Sequence, residues 1–290
     1  MEFNLDQYKD KLRIMTSVFD KYCRAHNLRY SLCAGSLLGA VRHHGIIPWD
    51  DDVDVMMPRP DYNKLLELAK RDFPQGYNLI HAGNTPYYYL PLAKVIDIDT
   101  CLIEMRSYVE CPIGVNIDVF PIDIIPEDEK TREFLYRSFL KNYEIASVTA
   151  ELSHFKSLFE NRNFRFRAIL HYFRNHLYRL TKNSKQIFQN MDDMISKCDW
   201  DKGNHCRFYS SYQYHHHIFD KNLFEEYTEL YFDGIKVMVI KDYDTYLTIL
   251  FKNYMKLPPI EKQVCHHHHF FLDMNRGYTI NELKEKGVIK

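Results

Sequence analysis

Asp50, Asp51, Asp52 and Asp54 fall within five residues of one another. Carboxylates so close repel unless a cation compensates them. In a strand, residues i and i+2 point to the same side. Asp52 and Asp54 are therefore expected to share one face, with Val53 and Val55 packed behind. Hard oxygen ligands on a rigid strand suit Mg²⁺ or Mn²⁺. Such ions can clamp the attacking and leaving oxygens of a phosphoryl transfer. Asp50 has the same parity if the strand starts early, and is the weaker ligand candidate. A solvated acidic loop is the plain alternative, because Asp-x-Asp alone is a weak motif.

The neighbourhood strengthens the chemical reading. Gly35 and Ser36 stand between an expected strand, Leu28–Ala34, and an expected helix, Leu37–His43. A helix start offers free N–H groups and a positive dipole end, which suit phosphate. Ser36 is a candidate cap for that helix, and Gly35 lets the backbone approach a ligand closely. Arg42 lies one turn after Leu38 and either reaches a nucleotide or pairs with the acidic loop. Trp49 either stacks on a base or anchors its loop. A second acidic pair, Asp97 and Asp99, lacks a preceding Gly-Ser helix start and reads as a strand-edge pair.

The run GSLLGAVRHHGIIPWDDDVDVMMPRPDY resembles the signature of the LicD family, which includes bacterial phosphocholine transferases and is related to the fukutin proteins. The resemblance continues through PLAKVIDIDTCLIE, GVNIDVFPIDIIP and YLTILFKNYMKLPP. It covers residues 30–126 well and 234–269 more loosely. One departure is Phe251-Lys252-Asn253-Tyr254, where the family often has a Tyr-Gly pair. The resemblance implies an α/β (α+β) chain with a nucleotidyltransferase-type mixed sheet and flanking helices. It implies a site built from Gly35, Ser36, Asp52, Asp54 and a third carboxylate, Asp118, on a later strand, with Asp118 completing the metal site of Asp52 and Asp54 or orienting the acceptor hydroxyl as a base. In VNIDVF, Asn116 and Asp118 share one face while Val115, Ile117 and Val119 share the other; Asp123, beyond Pro121, is the rival. Lys94 matches a lysine typical of the family and would balance a donor phosphate, or else pack its stem on the sheet. The implied activity is transfer of a phospho-alcohol group, such as phosphocholine, from a CDP-alcohol donor such as CDP-choline. The implied acceptor is a sugar hydroxyl of a glycan or lipid-linked glycan. An enzyme adding a nucleoside monophosphate, or an inactive nucleotide-binding protein, are the alternatives.

The elements that must position these residues follow from length and periodicity. The chain has 290 residues, 46% of them hydrophobic, with 38 basic against 39 acidic side chains. A net charge of −1 excludes a chain dominated by nucleic-acid electrostatics. No apolar run approaches the ~18–20 residues of a membrane span. The charged N-terminus has no apolar core of a signal peptide, so a cytoplasmic protein with reduced thiols is expected. Apolar spacing predicts a helix over 4–26 and another after Arg59. Strands are expected at 52–57, 77–81, 88–98, 100–104, 115–120 and 235–240, and a helix at 243–255. Residues 127–200 read as mainly helical and 201–222 as polar loops. Three regions result: a catalytic core at 1–126, a mainly helical acceptor region at 127–233, and a C-terminal strand and helix returning to the core at 234–290. Residues 161–190 carry seven basic side chains, among them Arg165, Arg167 and Arg174, and no acid. Such a basic amphipathic helix suits peripheral contact with an anionic membrane, or a core-packed helix with a solvated face. The histidine runs, such as His215–His217 and His266–His269, match no structural zinc spacing.

Overall fold

The computed structural model describes residues 4–85, 88, 90–104, 113–150, 173–174, 177, 180–181, 183–211, 213–265 and 269–288. Helix α1 (Leu5–Ala25) starts at Asn4, whose side-chain oxygen accepts from the Gln7 N–H at 3.1 Å. Its apolar stripe buries Tyr8, Leu12, Met15, Phe19 and Cys23 against the sheet. Five strands lie side by side in the order β1 (Ser31–Leu32), β2 (Asp54–Pro58), β6 (Asn116–Ile124), β4 (Ala93–Asp97) and β3 (Tyr77–Ile80). β7 (His205–Arg207) adds to the end of β6, and β8 (Phe219–Asp220) adds to β7. β2 and β6 run parallel, and the other pairs in this sheet are antiparallel. Helices α2 (Ala34–His43) and α3 (Arg59–Ala69) flank the sheet, so the fold is α+β with a mixed sheet.

Two short ladders complete it. β9 (Tyr227–Phe232) and β10 (Ile235–Ile240) form a hairpin. Its Asp233-Gly234 turn has φ of 49° and 83°, the left-handed pair that matches strand twist in a two-residue hairpin. β11 (His269–Asp273) pairs with β5 (Cys101–Glu104). Helix α4 (Glu129–Ala150) packs on the helix Ser184–Ile195 around Phe139, Phe188 and Met191. Among the described residues, no helix is long and apolar enough to cross a membrane. The six described cysteines are free thiols. Most of 161–190, including Arg165 and Arg167, lies outside the described residues, as do His266 to His268.

Several elements differ from their sequence expectation. The strand expected over 28–34 shrinks to Ser31–Leu32, because the chain enters α2 already at Ala34. Within 88–98, Ala93–Asp97 forms the strand; Pro91, just before it, has no N–H to donate. β6 passes through Pro121 instead of stopping at Phe120. Asp123 and Ile124 continue it by taking a new antiparallel partner in β7. Residues 201–222 are more than polar loops: they hold β7 and β8 and bury Cys206, Phe208, Tyr209 and Phe219. The helix starting at Tyr243 ends at Phe251, with Lys252 at φ 57° and ψ −109°. β9 and β11 carried no clear signal, since their partners lie elsewhere in the fold or across a turn.

Candidate active site

Sheet register assembles the centre of the site. Asp54 at the start of β2 is the direct partner of Asp118 on parallel β6. Asp118 is in turn the direct partner of Lys94 on antiparallel β4. Neighbouring strands are about 4.8 Å apart and paired side chains share a face. Asp54, Asp118 and Lys94 therefore form a row across three strands. Lys94 is buried, and its Nζ donates to Asp118 Oδ1 at 2.5 Å and to Asn116 Oδ1 at 2.9 Å. Burial first, then the like charges of Asp52 and Asp118, push the Asp54 carboxyl well above the usual range; Lys94 opposes them.

Helix α2 meets this row with its first turn, which contains Gly35 and Ser36. Ser36 does not cap the helix. The N-cap is Cys33, which makes no side-chain cap, and Ser36 Oγ accepts from the Asp54 N–H at 2.8 Å. The Cys33 N–H donates to the Asp54 carbonyl at 3.0 Å. The helix start is thus tied to the acidic strand from both sides of one residue. Ala34 adopts φ 44°, and its N–H points to Tyr246 Oη at 3.4 Å. A Cβ on Gly35 would stand 3.1 Å from Asp50 Oδ2, tighter than most real contacts. That close approach accounts for glycine here.

Two further residues were not singled out from sequence. Lys9 of α1 is buried, and its Nζ donates to the carbonyls of Ile47 (2.9 Å) and Pro48 (2.8 Å), under the acidic loop. Burial lowers its pKa, while Asp50 pulls it back up. Its only sequence signal is a lysine beside the buried stripe of α1. Tyr214, in the segment before β8, packs its ring on Phe251 with 6.3 Å between centroids. Burial raises its phenol pKa, and Asp54, Cys33, Asp52 and Asp50 raise it further, which puts the phenol in their field.

The remaining candidates have other placements. Asp123 faces away from the row and is buried against Arg59, with contacts of 2.5 and 3.0 Å. Arg59 also pairs with Asp192 at 2.7 Å. Arg42 Nη1 donates to the Tyr254 carbonyl at 2.7 Å and, at 3.4 Å, to that of Lys256. Trp49 rests on the core, edge to face with His43 at 5.6 Å. Asp97 pairs with Lys11 at 2.8 Å and accepts from the Asp99 N–H, as a strand-end turn would.

The donor set suits a divalent cation in kind: hard oxygens whose mutual repulsion raises Asp54. The convergence is incomplete. Among the described residues, no three His, Cys, Asp or Glu side chains are grouped to hold a metal ion. One Asp118 oxygen is taken by Lys94.

A glycine-containing helix start is docked on one acidic strand, beside a second, and residues 27–107 match the family model described as LicD/FKTN/FKRP, nucleotidyltransferase domain. That stretch is thus similar to the nucleotidyltransferase domain of the LicD family. It is 29% identical over 256 residues to the lipopolysaccharide cholinephosphotransferase LicD of Haemophilus influenzae, covering 86% of this chain and 90% of that one. An uncharacterised Rickettsia typhi protein is 30% identical over 123 residues, 42% of this chain and 35% of the relative. An uncharacterised Rickettsia prowazekii protein is 41% identical over 54 residues, 19% and 20% of the two chains.

Proposed function

We propose that the protein transfers a phospho-alcohol group, such as phosphocholine, from a CDP-activated donor to a sugar hydroxyl of a cell-surface glycan or its lipid-linked precursor. The observation that carries this reading is the Asp54–Asp118–Lys94 row in a chain that aligns along most of its length with a cholinephosphotransferase. The first turn of α2 presents backbone N–H groups and a positive dipole end to the donor diphosphate. Asp118, oriented by Lys94, accepts the proton of the sugar hydroxyl. The sugar oxygen then bonds to the phosphorus that bears the alcohol, the bond from that phosphorus to the oxygen it shares with CMP breaks, and CMP leaves. Lys94 balances charge as it leaves. Mg²⁺ or Mn²⁺ held by Asp52 and Asp54, with Asp50 as a weaker ligand, would neutralise the diphosphate. Gly35 keeps the backbone close to that phosphate. Tyr214 borders the same space and is available to contact the acceptor. The basic segment 161–190 would bring the enzyme to an anionic lipid surface at the inner face of a membrane.

A direct assay tests the reading. CDP-choline and other CDP-alcohols are incubated with candidate glycans, with and without Mg²⁺, and CMP is measured. CMP release that needs both glycan and divalent ion is expected. Release of pyrophosphate from a nucleoside triphosphate would instead assign nucleotidyl transfer. Binding of CDP-choline without turnover in any combination would assign a nucleotide-binding protein.

A further inference from the structure

The loop 44–50 leads from α2 to the acidic run and has no helix or strand of its own. Burial of Ile46 and Ile47 anchors it to the core, but apolar contact is non-directional and does not fix how the loop points. Hydrogen bonds do. The carbonyls of Ile47 and Pro48 accept from Lys9 Nζ on α1, at 2.9 and 2.8 Å. The Ile46 N–H donates to Asp233 Oδ2 at 3.0 Å, and the His44 carbonyl accepts from the Asp233 N–H at 2.8 Å. The Gly45 N–H donates to the Gly39 carbonyl at 3.3 Å. Every residue from His44 to Pro48 is thus tied through its backbone.

The two clamps come from opposite ends of the chain. Lys9 and Arg13 are one turn apart on the same face of α1. Lys9 holds the loop directly, while Arg13 Nε pairs with Asp233 Oδ2 at 3.2 Å. Asp233 stands in the turn between β9 and β10, and a Cβ on Gly45 would collide with its carboxylate. Lys9 is 5% exposed. A buried ammonium is costly, and a methionine would fill an apolar helix stripe at less cost. Both residues lie outside 27–107, the stretch that matches the family model.

What the loop carries gives the clamps their use. The Asp50 N–H closes a turn on the Ile47 carbonyl at 2.9 Å, the same oxygen that Lys9 holds. Pro48 occupies the second position of that turn, where its fixed φ fits. Asp50 Oδ2 then comes so near Gly35 that a Cβ there would stand only 3.1 Å away. Asp50 and Asp52 both act on Asp54 as like charges, so an untied loop would swing outward. We propose that Lys9 and Asp233 are positioning residues, which fix the turn 47–50 and so hold Asp50 beside Gly35 at the start of α2. The catalytic consequence rests on the proposed transfer reaction; the placement of the loop does not.

The full chain is compared as wild type, Lys9→Met, Asp233→Gly and Asp233→Asn. Asparagine keeps an acceptor for the Ile46 N–H, and both replacements tolerate the left-handed backbone of the hairpin turn. Amide exchange is read by mass spectrometry, and kcat for CMP release is measured with Mg²⁺ and saturating CDP-choline and glycan, at a temperature where every variant is folded. In Lys9→Met and Asp233→Gly, residues 44–50 should exchange about tenfold faster while 116–120 of β6 keep their protection. In both, kcat should fall about tenfold or more, because a displaced acidic loop misplaces the reacting groups. Asp233→Asn should restore both readouts. Unchanged exchange over 44–50, kcat near wild type in both disruptive variants, or an Asp233→Asn as impaired as Asp233→Gly would each overturn the proposal. If Lys9→Met does not fold, the two Asp233 variants decide alone. If wild type releases no CMP from any CDP-alcohol, the transfer reading fails by itself, and the exchange pattern then decides for or against the clamp.

Discussion

Asp54 shows how one residue joins scaffold and chemistry. Its backbone N–H is held by Ser36 and its carbonyl by Cys33, while its carboxylate stands among like charges. Asp54→Asn keeps both backbone bonds and removes one charge. Under the proposed function, it and Asp52→Asn should each lower transfer at least tenfold, with a melting temperature at or slightly above wild type. Turnover near wild type in either variant, measured as CMP release, would remove these residues from the mechanism. Lys94 tests the other end of the row. Lys94→Met leaves Asp118 and Asn116 without their shared donor. About 10²-fold loss of kcat is expected if Lys94 stabilises the developing charge. A modest stability loss of about 1–3 kcal/mol should accompany it, kept small because Asp118 retains some solvent contact. A large change in stability with unchanged kcat would make Lys94 purely structural.

At the scale of elements, the ends of helices and strands show where local preference and tertiary demand meet. The helix Tyr243–Phe251 stops on Lys252 at φ 57° and ψ −109°, a region that costs a side-chain-bearing residue about 1–3 kcal/mol. It lies within the stretch Phe251-Lys252-Asn253-Tyr254, where the family that the sequence resembles often has a Tyr-Gly pair. Lys252→Gly should therefore raise stability by about 1 kcal/mol, read from denaturant unfolding. An unchanged or lower midpoint would mean that the turn is not strained. The Arg59–Asp123 pair plays a different part. Arg59 opens α3, Asp123 lies late on β6, and Asp192 belongs to the helix Ser184–Ile195. One buried guanidinium thus links three elements. Asp123→Ala should cost about 1–3 kcal/mol, since it leaves buried Arg59 with Asp192 as its remaining carboxylate, and should spare donor binding. Equal loss of CDP-choline affinity would return Asp123 to the list of site residues.

For the whole molecule, the two halves of the chain are joined through one sheet. β7 and β8, drawn from the stretch after the long helix α4, extend the sheet that carries the carboxylates. Tyr214 reaches the field of those carboxylates from the same stretch. The basic segment 161–190 belongs to this region by sequence, and the proposed membrane contact is testable there. Replacing Arg165, Arg167 and Arg174 with Gln should weaken binding to vesicles containing anionic lipid, most of all at low salt. Co-sedimentation equal to wild type would favour a core-packed helix with a solvated basic face.

The sequence by itself determined the local chemistry. Alternation of Asp and Val around Asp52–Val55 matches the burial of Val53 and Val55, although β2 itself begins only at Asp54, and helical spacing set α1 to within a residue at each end. These signals are short-range, so they survive without knowledge of the fold. The resemblance pointed to Asp118, and its parity in VNIDVF agreed, but only parallel pairing of β2 with β6 placed it beside Asp54. The same register tied Lys94 to Asp118, a contact across 24 positions that no local pattern encodes. Tertiary structure also reassigned Ser36 from helix cap to acceptor for Asp54 and drew Arg42 to the carbonyls after Phe251. It placed Lys9 under the acidic loop. It turned part of the polar stretch after residue 200 into two short strands that bury Cys206 and Phe219. In each case the deciding partner is distant along the chain. A side chain's type states which bonds it is able to make, and packing alone selects which of them it does make.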